Sequence, residues 1–292
     1  MPVRPRPEPR AILSVQSSVS YGHVGNAAAV FCLRRSGVDV WPVDTVAFSN
    51  HPGYGRSAGR VRPDVEIAEI IDGLREIGVF ARLDGLLSGY LGSAETGAII
   101  LSAAQDLKRA RPSCLWCCDP VMGDHGPGVY VEPKIVDFFR NAATPAADIL
   151  VPNSFELELL TGVRIESVRS AVAAASKLLE KGSQAVIVTS VAAAELGAEA
   201  IANVAVTRHG AWLVTTPRLR LAAKGCGDML AALLFARLLN LPSVPDALAA
   251  AVSSVFAVVA ATAQSGANEL CLVAAQNELV DPPHVFSAQP IA

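Results

Sequence analysis

The segment Lys224-Gly225-Cys226-Gly227-Asp228 runs directly into the apolar stretch Met229-Leu230-Ala231-Ala232-Leu233-Leu234-Phe235. Two glycines and a carboxylate therefore stand at the mouth of a predicted helix. A helix N-terminus presents unpaired backbone N–H groups and a partial positive charge, and glycine lets an anion approach that backbone. Asp228 could accept a proton from an attacking alcohol there, so the segment points to phosphoryl transfer. The same residues also suit a plain turn and cap, so their meaning depends on what the fold brings beside them.

Short, near-continuous apolar runs at 12–15, 38–41, 85–88, 115–118, 149–151 and 185–188 predict strands buried on both faces. Helical stretches fall between them at 25–36, 64–78, 94–109, 132–141, 154–161 and 167–181. This alternation predicts an α/β fold with a mostly parallel sheet, helices on both faces and right-handed crossovers. Residues 201–206 and 211–215, separated by a turn with Gly210, predict a hairpin, and the Pro/Gly-containing stretch 51–63 predicts a small flap. One domain over 11–292, after a flexible segment 1–10, is the simplest organisation.

In such a sheet the ligand lies beyond the strand C-termini. The chain places Gln16-Ser17 with Gly22-His23-Val24-Gly25-Asn26 there, then Ser49-Asn50-His51, Ser88-Gly89-Tyr90-Leu91-Gly92-Ser93 and Asp119-Pro120-Val121-Met122-Gly123-Asp124. Pro152-Asn153 with Glu156, Thr189-Ser190 and Gly225 to Asp228 complete the series. Polar and Gly-rich residues thus gather at one edge in nearly every unit, which no single motif would require.

Composition narrows the functional classes. Of 292 residues 51% are hydrophobic and 17% charged, so a large core is available and disorder is excluded. A net charge of −3 argues against a general nucleic-acid binder and leaves small molecules as partners. The most apolar stretch, 247–263, is interrupted by Ser253 and Ser254 and reads as a buried helix rather than a membrane span. No signal-like apolar segment follows the Arg/Pro-containing start, which predicts a cytoplasmic protein. Cys114, Cys117 and Cys118 show zinc-like spacing but lie in an apolar run whose alternation points Cys117 and Cys118 to opposite faces; they read as core.

These residues together resemble the pyridoxal kinase family of the ribokinase-like superfamily. The resemblance is carried by Val15-Gln16-Ser17, Tyr21-Gly22-His23-Val24-Gly25-Asn26, the run from Trp41 to His51, Leu87 to Ser93, Cys118 to Gly123 and Val151 to Glu158, in that order. It implies a three-layer αβα fold and transfer of the ATP γ-phosphate to the 5′-hydroxymethyl of pyridoxal, pyridoxine or pyridoxamine. Asp228 would be the base, with backbone N–H groups of Gly225, Cys226 and Gly227 as the anion hole. Ser17, Val24, Phe48, His51, Pro52 and Tyr90 would face the vitamer, and Asp119, Asp124, Tyr130, Val151, Asn153, Glu156, Thr189, Ser190, Arg218 and Arg220 the ATP. Asp119, Asp124 and Glu156 would serve Mg²⁺, with a monovalent cation such as K⁺ as a further candidate. The resemblance also implies a homodimer with the flap near the partner.

Two positions depart from the family pattern. Pro52 stands where relatives often carry Thr and lacks both hydroxyl and backbone donor. Cys226 occupies a place often held by Thr or Val, and a thiol at a helix N-terminus is expected to ionise easily and to sense oxidants. Two other readings compete: a hydroxymethylpyrimidine kinase, disfavoured by Ser49-Asn50-His51, and a non-catalytic vitamer-binding protein, which would have no use for Asp228.

Overall fold

Apolar side chains alternate across the central strands and build two cores, one on each face of a single sheet. The computed structural model describes residues 9–241 and 243–291. Its strands are β1 (Ala11–Tyr21), β2 (Asp39–Asn50), β3 (Gly59–Val61), β4 (Gly85–Ser88), β5 (Leu115–Cys118), β6 (Gly123–Asp124), β7 (Gly128–Val129), β8 (Ile149–Leu150), β9 (Ala185–Val191), β10 (Ala200–Thr207), β11 (Gly210–Pro217) and β12 (Gln289–Pro290). The helices are α1 (Asn26–Arg35), α2 (Asp64–Glu76), α3 (Ala94–Ala110), α4 (Pro133–Phe138), α5 (Thr144–Ala146), α6 (Ser154–Thr161), α7 (Val168–Lys181), α8 (Cys226–Leu238), α9 (Val244–Ser265) and α10 (Gln276–Val280).

Ten strands form one sheet in the order β12-β11-β10-β9-β8-β5-β4-β1-β2-β3, while β6 and β7 make a separate ribbon. The six strands from β2 to β9 in this order pair in parallel, and the outer ones run antiparallel. Leu13, Leu86, Trp116, Cys118, Val186 and Val188 enter the core covered by α2, α3, α6 and α7. Ile12, Leu87, Cys117 and Ile187 enter the opposite core, under α1, α8 and α9. Cys117 and Cys118 do part to opposite faces, and all six cysteines are free thiols.

Two features differ from the sequence reading. Strands β1 and β2 run well past their apolar stretches, because their ladder continues to the pair Tyr21 and Asn50 through an irregularity between Gln16 and Ser18. Helix α9 spans 22 residues and is long and apolar enough to cross a bilayer, contrary to the shorter segment read from sequence. Its Ala247, Leu248, Ala251, Val252 and Val258 are buried in the core it shares with α8. The interrupting Ser253 is accommodated, since its hydroxyl donates to the Ala249 carbonyl (2.7 Å) and accepts the Phe286 N–H (2.9 Å). Residues 1–8 of the expected flexible segment lie outside the described residues; Arg10, at its end, pairs with Asp84 at 2.8 Å.

Candidate active site

From β1 the chain first builds outward through β2 and then returns to lay β4, β5, β8 and β9 on the other side. The order of the sheet therefore reverses between β1 and β4. Connections leaving neighbouring strands in opposite directions open a crevice at that point, beyond the strand C-termini.

Two glycine loops meet there. Gly225, at φ +97°, precedes α8 in a left-handed conformation that side chains resist. A Cβ on it would stand 1.8 Å from the His23 carbonyl oxygen, so the loop before α8 is packed against the loop before α1. Gly25 is held as tightly, since a Cβ there would lie 2.4 Å from the Ser17 hydroxyl. Backbone N–H groups of Gly25 and of Asp228 itself favour the ionised Asp228 carboxyl, but burial outweighs them and pushes its pKa up to about 6. Its charge is felt by Asp119, Tyr130 and Cys32. Asp228 thus sits at that end of the sheet beside the free N–H groups of a helix start, and it is mostly ionised at neutral pH.

The acidic residues are arranged differently from the sequence reading. Asn153 caps α6 by accepting the Glu156 N–H (2.8 Å), and the Glu156 carboxylate returns to the Asn153 N–H (2.9 Å). The other Glu156 oxygen accepts the Met122 N–H (2.9 Å), which ties α6 to the strand-end loop after β5. The capping box and the Met122 contact together engage both carboxylate oxygens. The Asn153 amide also donates to the Gly123 carbonyl (2.9 Å), so its side chain serves the loop. Asp119 is buried close to Glu156; burial pushes both pKa values upward, with the Glu156 charge adding to the rise at Asp119 and the Asp124 charge to that at Glu156. Asp124 is exposed and accepts the His125 N–H (2.7 Å). Among the described residues no three His, Cys, Asp or Glu side chains converge as a metal-ligand set. Asp119, Asp124 and Glu156 instead form a graded acidic wall, with Asp119 and Glu156 buried and Asp124 exposed.

Around that wall, Tyr130 is half exposed and feels the charges of Glu156, Asp119, Asp228 and Asp124. Val151 is buried, and Thr189 pairs with Asn153 through an isolated parallel bridge. Ser190 is the one non-glycine with positive φ (57°) among the described residues, and its carbonyl accepts the Ser154 hydroxyl (3.4 Å). Such strain at a strand end is common where backbone meets ligand. Arg218 and Arg220 are exposed on the β11–α8 connection, with no side-chain hydrogen bond among the described residues.

On the other side of the crevice, Ser17, Phe48, His51 and Tyr90 are all partly exposed and Val24 is buried. The Thr45 hydroxyl donates to the Tyr90 carbonyl (2.6 Å), linking β2 to the loop after β4. Beneath them lies a polar network in which Gln16 donates to Ser14 (2.9 Å), Ser14 to Asn26 (2.8 Å) and Asn26 to Asp44 (2.8 Å). The His51 Nδ1 accepts the Gly53 N–H (2.9 Å) at the start of a short turn over Pro52–Tyr54. Burial, aided by nearby Lys224, lowers the His51 pKa against the opposing pull of Glu269. Pro52 is exposed.

One expectation is reversed. Burial pushes the Cys226 thiol up to about 11, with Asp228 adding to the rise and Lys224 offsetting part of it. The helix N-terminus does not make it an easily ionised thiol. Lys224 was named in the motif without this role, and Glu269 escaped the sequence reading altogether; it follows a long helix, away from any strand end, and meets its partners across more than 200 residues.

Residues 83–272 match the family model described as phosphomethylpyrimidine kinase. The chain is 48% identical to Pyridoxal kinase PdxY of Rubrobacter xylanophilus over 282 residues, covering 96% of this chain and 97% of that one. It is 47% identical to Pyridoxal kinase PdxY of Deinococcus radiodurans over 287 residues, or 96% of each chain. A solved structure of pyridoxal kinase from Leishmania donovani in complex with ADP and ginkgotoxin superposes with a TM-score of 0.91 at 28% identity, covering 97% of this chain and 100% of that one. The family model begins after Ser17 to Pro52, so it spans the glycine and acidic loops shared with phosphomethylpyrimidine kinases and omits the side that holds His51.

Proposed function

The chain belongs to the pyridoxal kinase family, an ATP-dependent phosphotransferase of B6 vitamers with a ribokinase-like fold, and on that premise we propose how its own residues divide the work. The observation that carries the reading is Asp228, half-buried at the start of α8, between the glycine loop and the acidic wall.

In this reading the 5′-hydroxymethyl of the vitamer lies against Asp228, which takes its proton as the oxygen attacks the γ-phosphorus. With a pKa of about 6 most of Asp228 is ionised at pH 7, and proton transfer can trail a loose transition state. The N–H groups at Gly225, Cys226 and Gly227 then receive the charge on the transferred phosphoryl oxygens, with no rearrangement at the moment of reaction. Ser17 and His51 would hydrogen-bond the pyridine substituents, and Val24, Phe48 and Tyr90 would bound the ring. Exposed Pro52 offers no donor, which narrows recognition at that corner to shape. Tyr130, Val151, Asn153, Thr189 and Ser190 would border the nucleotide, and Arg218 and Arg220 would approach its phosphates from the β11–α8 connection.

The acidic wall fits Mg²⁺ held largely through water: Asp119, buried beside Glu156, gains from a nearby cation, while the tied oxygens of Glu156 favour an outer role. Such an ion would neutralise charge on the ATP phosphates. A K⁺ ion, a homodimer and a cytoplasmic location complete the reading; sedimentation of the purified chain tests the second. Separate assays with ATP and pyridoxal, hydroxymethylpyrimidine or adenosine test the whole. Pyridoxal 5′-phosphate as the dominant product is expected, whereas dominant hydroxymethylpyrimidine phosphate, or tight pyridoxal binding without turnover, overturns it.

A further inference from the structure

One carboxylate joins three loops around the crevice. Glu269, in the segment after α9, accepts the Tyr54 hydroxyl on one oxygen (2.5 Å) and the His23 N–H on the other (3.2 Å). Tyr54 ends the turn that begins at His51, and the Tyr54 N–H donates back to the His51 carbonyl (3.1 Å). The His23 carbonyl is equally committed, because its oxygen lies where a Gly225 Cβ would stand. Gly22, at φ +97°, leaves the room that Glu269 fills: a Cβ there would lie 2.5 Å from the Glu269 carboxylate. The Tyr21 ring meets the Tyr54 ring edge-on, with centroids 6.1 Å apart. A chain of contacts therefore leads from the flap through Glu269 to His23, and from His23 to the glycine loop that carries Asp228.

We infer that Glu269 is a positioning residue that clasps the flap onto the loop before α1, fixing His51 over the vitamer pocket. The inference rests on the kinase reading above, but it concerns a residue that touches neither reactant. Without the clasp the turn over Pro52–Tyr54 has only one side-chain tie to its surroundings fewer, yet it loses the one that reaches across to the C-terminal segment. The vitamer must then order the flap on binding, so its apparent affinity falls by the fraction of time the flap is in place. The nucleotide lies on the other side of the crevice and is spared.

Steady-state kinetics of Tyr54→Phe, Glu269→Ala and the double variant test this, with pyridoxal and ATP varied separately and thermal unfolding followed in parallel. Hydrogen bonds to a charged group are worth about tenfold or more in an equilibrium, so the KM for pyridoxal is expected to rise about tenfold in Glu269→Ala and several-fold in Tyr54→Phe. The KM for ATP should stay within about twofold, and the double variant should be no worse than Glu269→Ala alone, because both changes open one contact. A mere loss of fold would lower kcat and leave both KM values in place. Tyr54→Phe removes a single oxygen and keeps the test decisive if Glu269→Ala does not fold. An unmoved pyridoxal KM in Tyr54→Phe, an equal rise in the ATP KM, or multiplying effects in the double variant overturn the clasp while leaving the kinase reading intact. Wild-type protein that makes no pyridoxal 5′-phosphate overturns both.

Discussion

Replacing Asp228 by Asn should make the protein more stable while disabling it. Burial moves this carboxyl from 3.8 to about 6, so the fold prefers it protonated. A group whose pKa is raised in the folded state contributes stability below its unfolded value, and that contribution is lost as pH rises through the folded value. The window here runs from about pH 4 to about pH 6. Above it, about two pKa units at 1.36 kcal/mol each amount to about 3 kcal/mol stored against folding. Asn keeps the size and an acceptor for the Gly25 N–H but carries no charge. With an unfolding entropy of about 2 cal/mol/K per residue, a chain of this size should gain about 5 °C in Tm at pH 8. Calorimetry of both proteins without ligand, from pH 4 to pH 8, reads the effect, and the gap should close towards pH 4. An Asn variant less stable than wild type at pH 8, or a gap independent of pH, would refute the reasoning that Asp228 is a half-desolvated, costly charge.

Other consequences follow from the same geometry. Gly225→Ala meets both a left-handed φ and the His23 carbonyl, so kcat should drop at least about 100-fold, as when one donor of an anion hole is lost, with a lower melting temperature beside it. With its pKa at about 11, Cys226 should be thiolate in only about one molecule in 3,000 at pH 7.5, so native alkylation by iodoacetamide, followed by mass spectrometry, should run at least about 100-fold slower than in urea. Chelation by EDTA should stop turnover and Mg²⁺ restore it, and Asp119→Asn should raise the Mg²⁺ needed for half-maximal rate about tenfold, because the most deeply buried acid of the wall no longer attracts the cation.

Much of the layout could be read from residue patterns, because strands buried on both faces leave uninterrupted apolar runs. The runs at β4 and β5 coincide with the observed strands, and the Asn153-to-Glu156 spacing sits at the start of α6. The reading failed where polar residues stay in the ladder: β1 continues through Gln16, Ser17 and Ser18 because β2 supplies its hydrogen bonds, not because its side chains are apolar. It failed again after α4, where a π-helical turn over Phe139–Ala143 replaces the single helix expected to 141. At the site, glycines betrayed their positions because only a close approach of two loops requires them. Side-chain roles were less legible, since the carboxylate of Glu156 looks equally suited to metal binding until its two backbone donors are seen. Glu269 left no local pattern, for its partners lie far away in sequence.

The division of labour in this crevice turns on one proton acceptor. Transfer of labelled phosphate from ATP to pyridoxal by Asp228→Asn, measured in a single turnover at saturating substrates, tests it most directly. Loss of a positioned base should slow the chemical step by about 100- to 10,000-fold while pyridoxal and ATP still bind. A rate close to that of the wild type would show that the alcohol gives up its proton elsewhere.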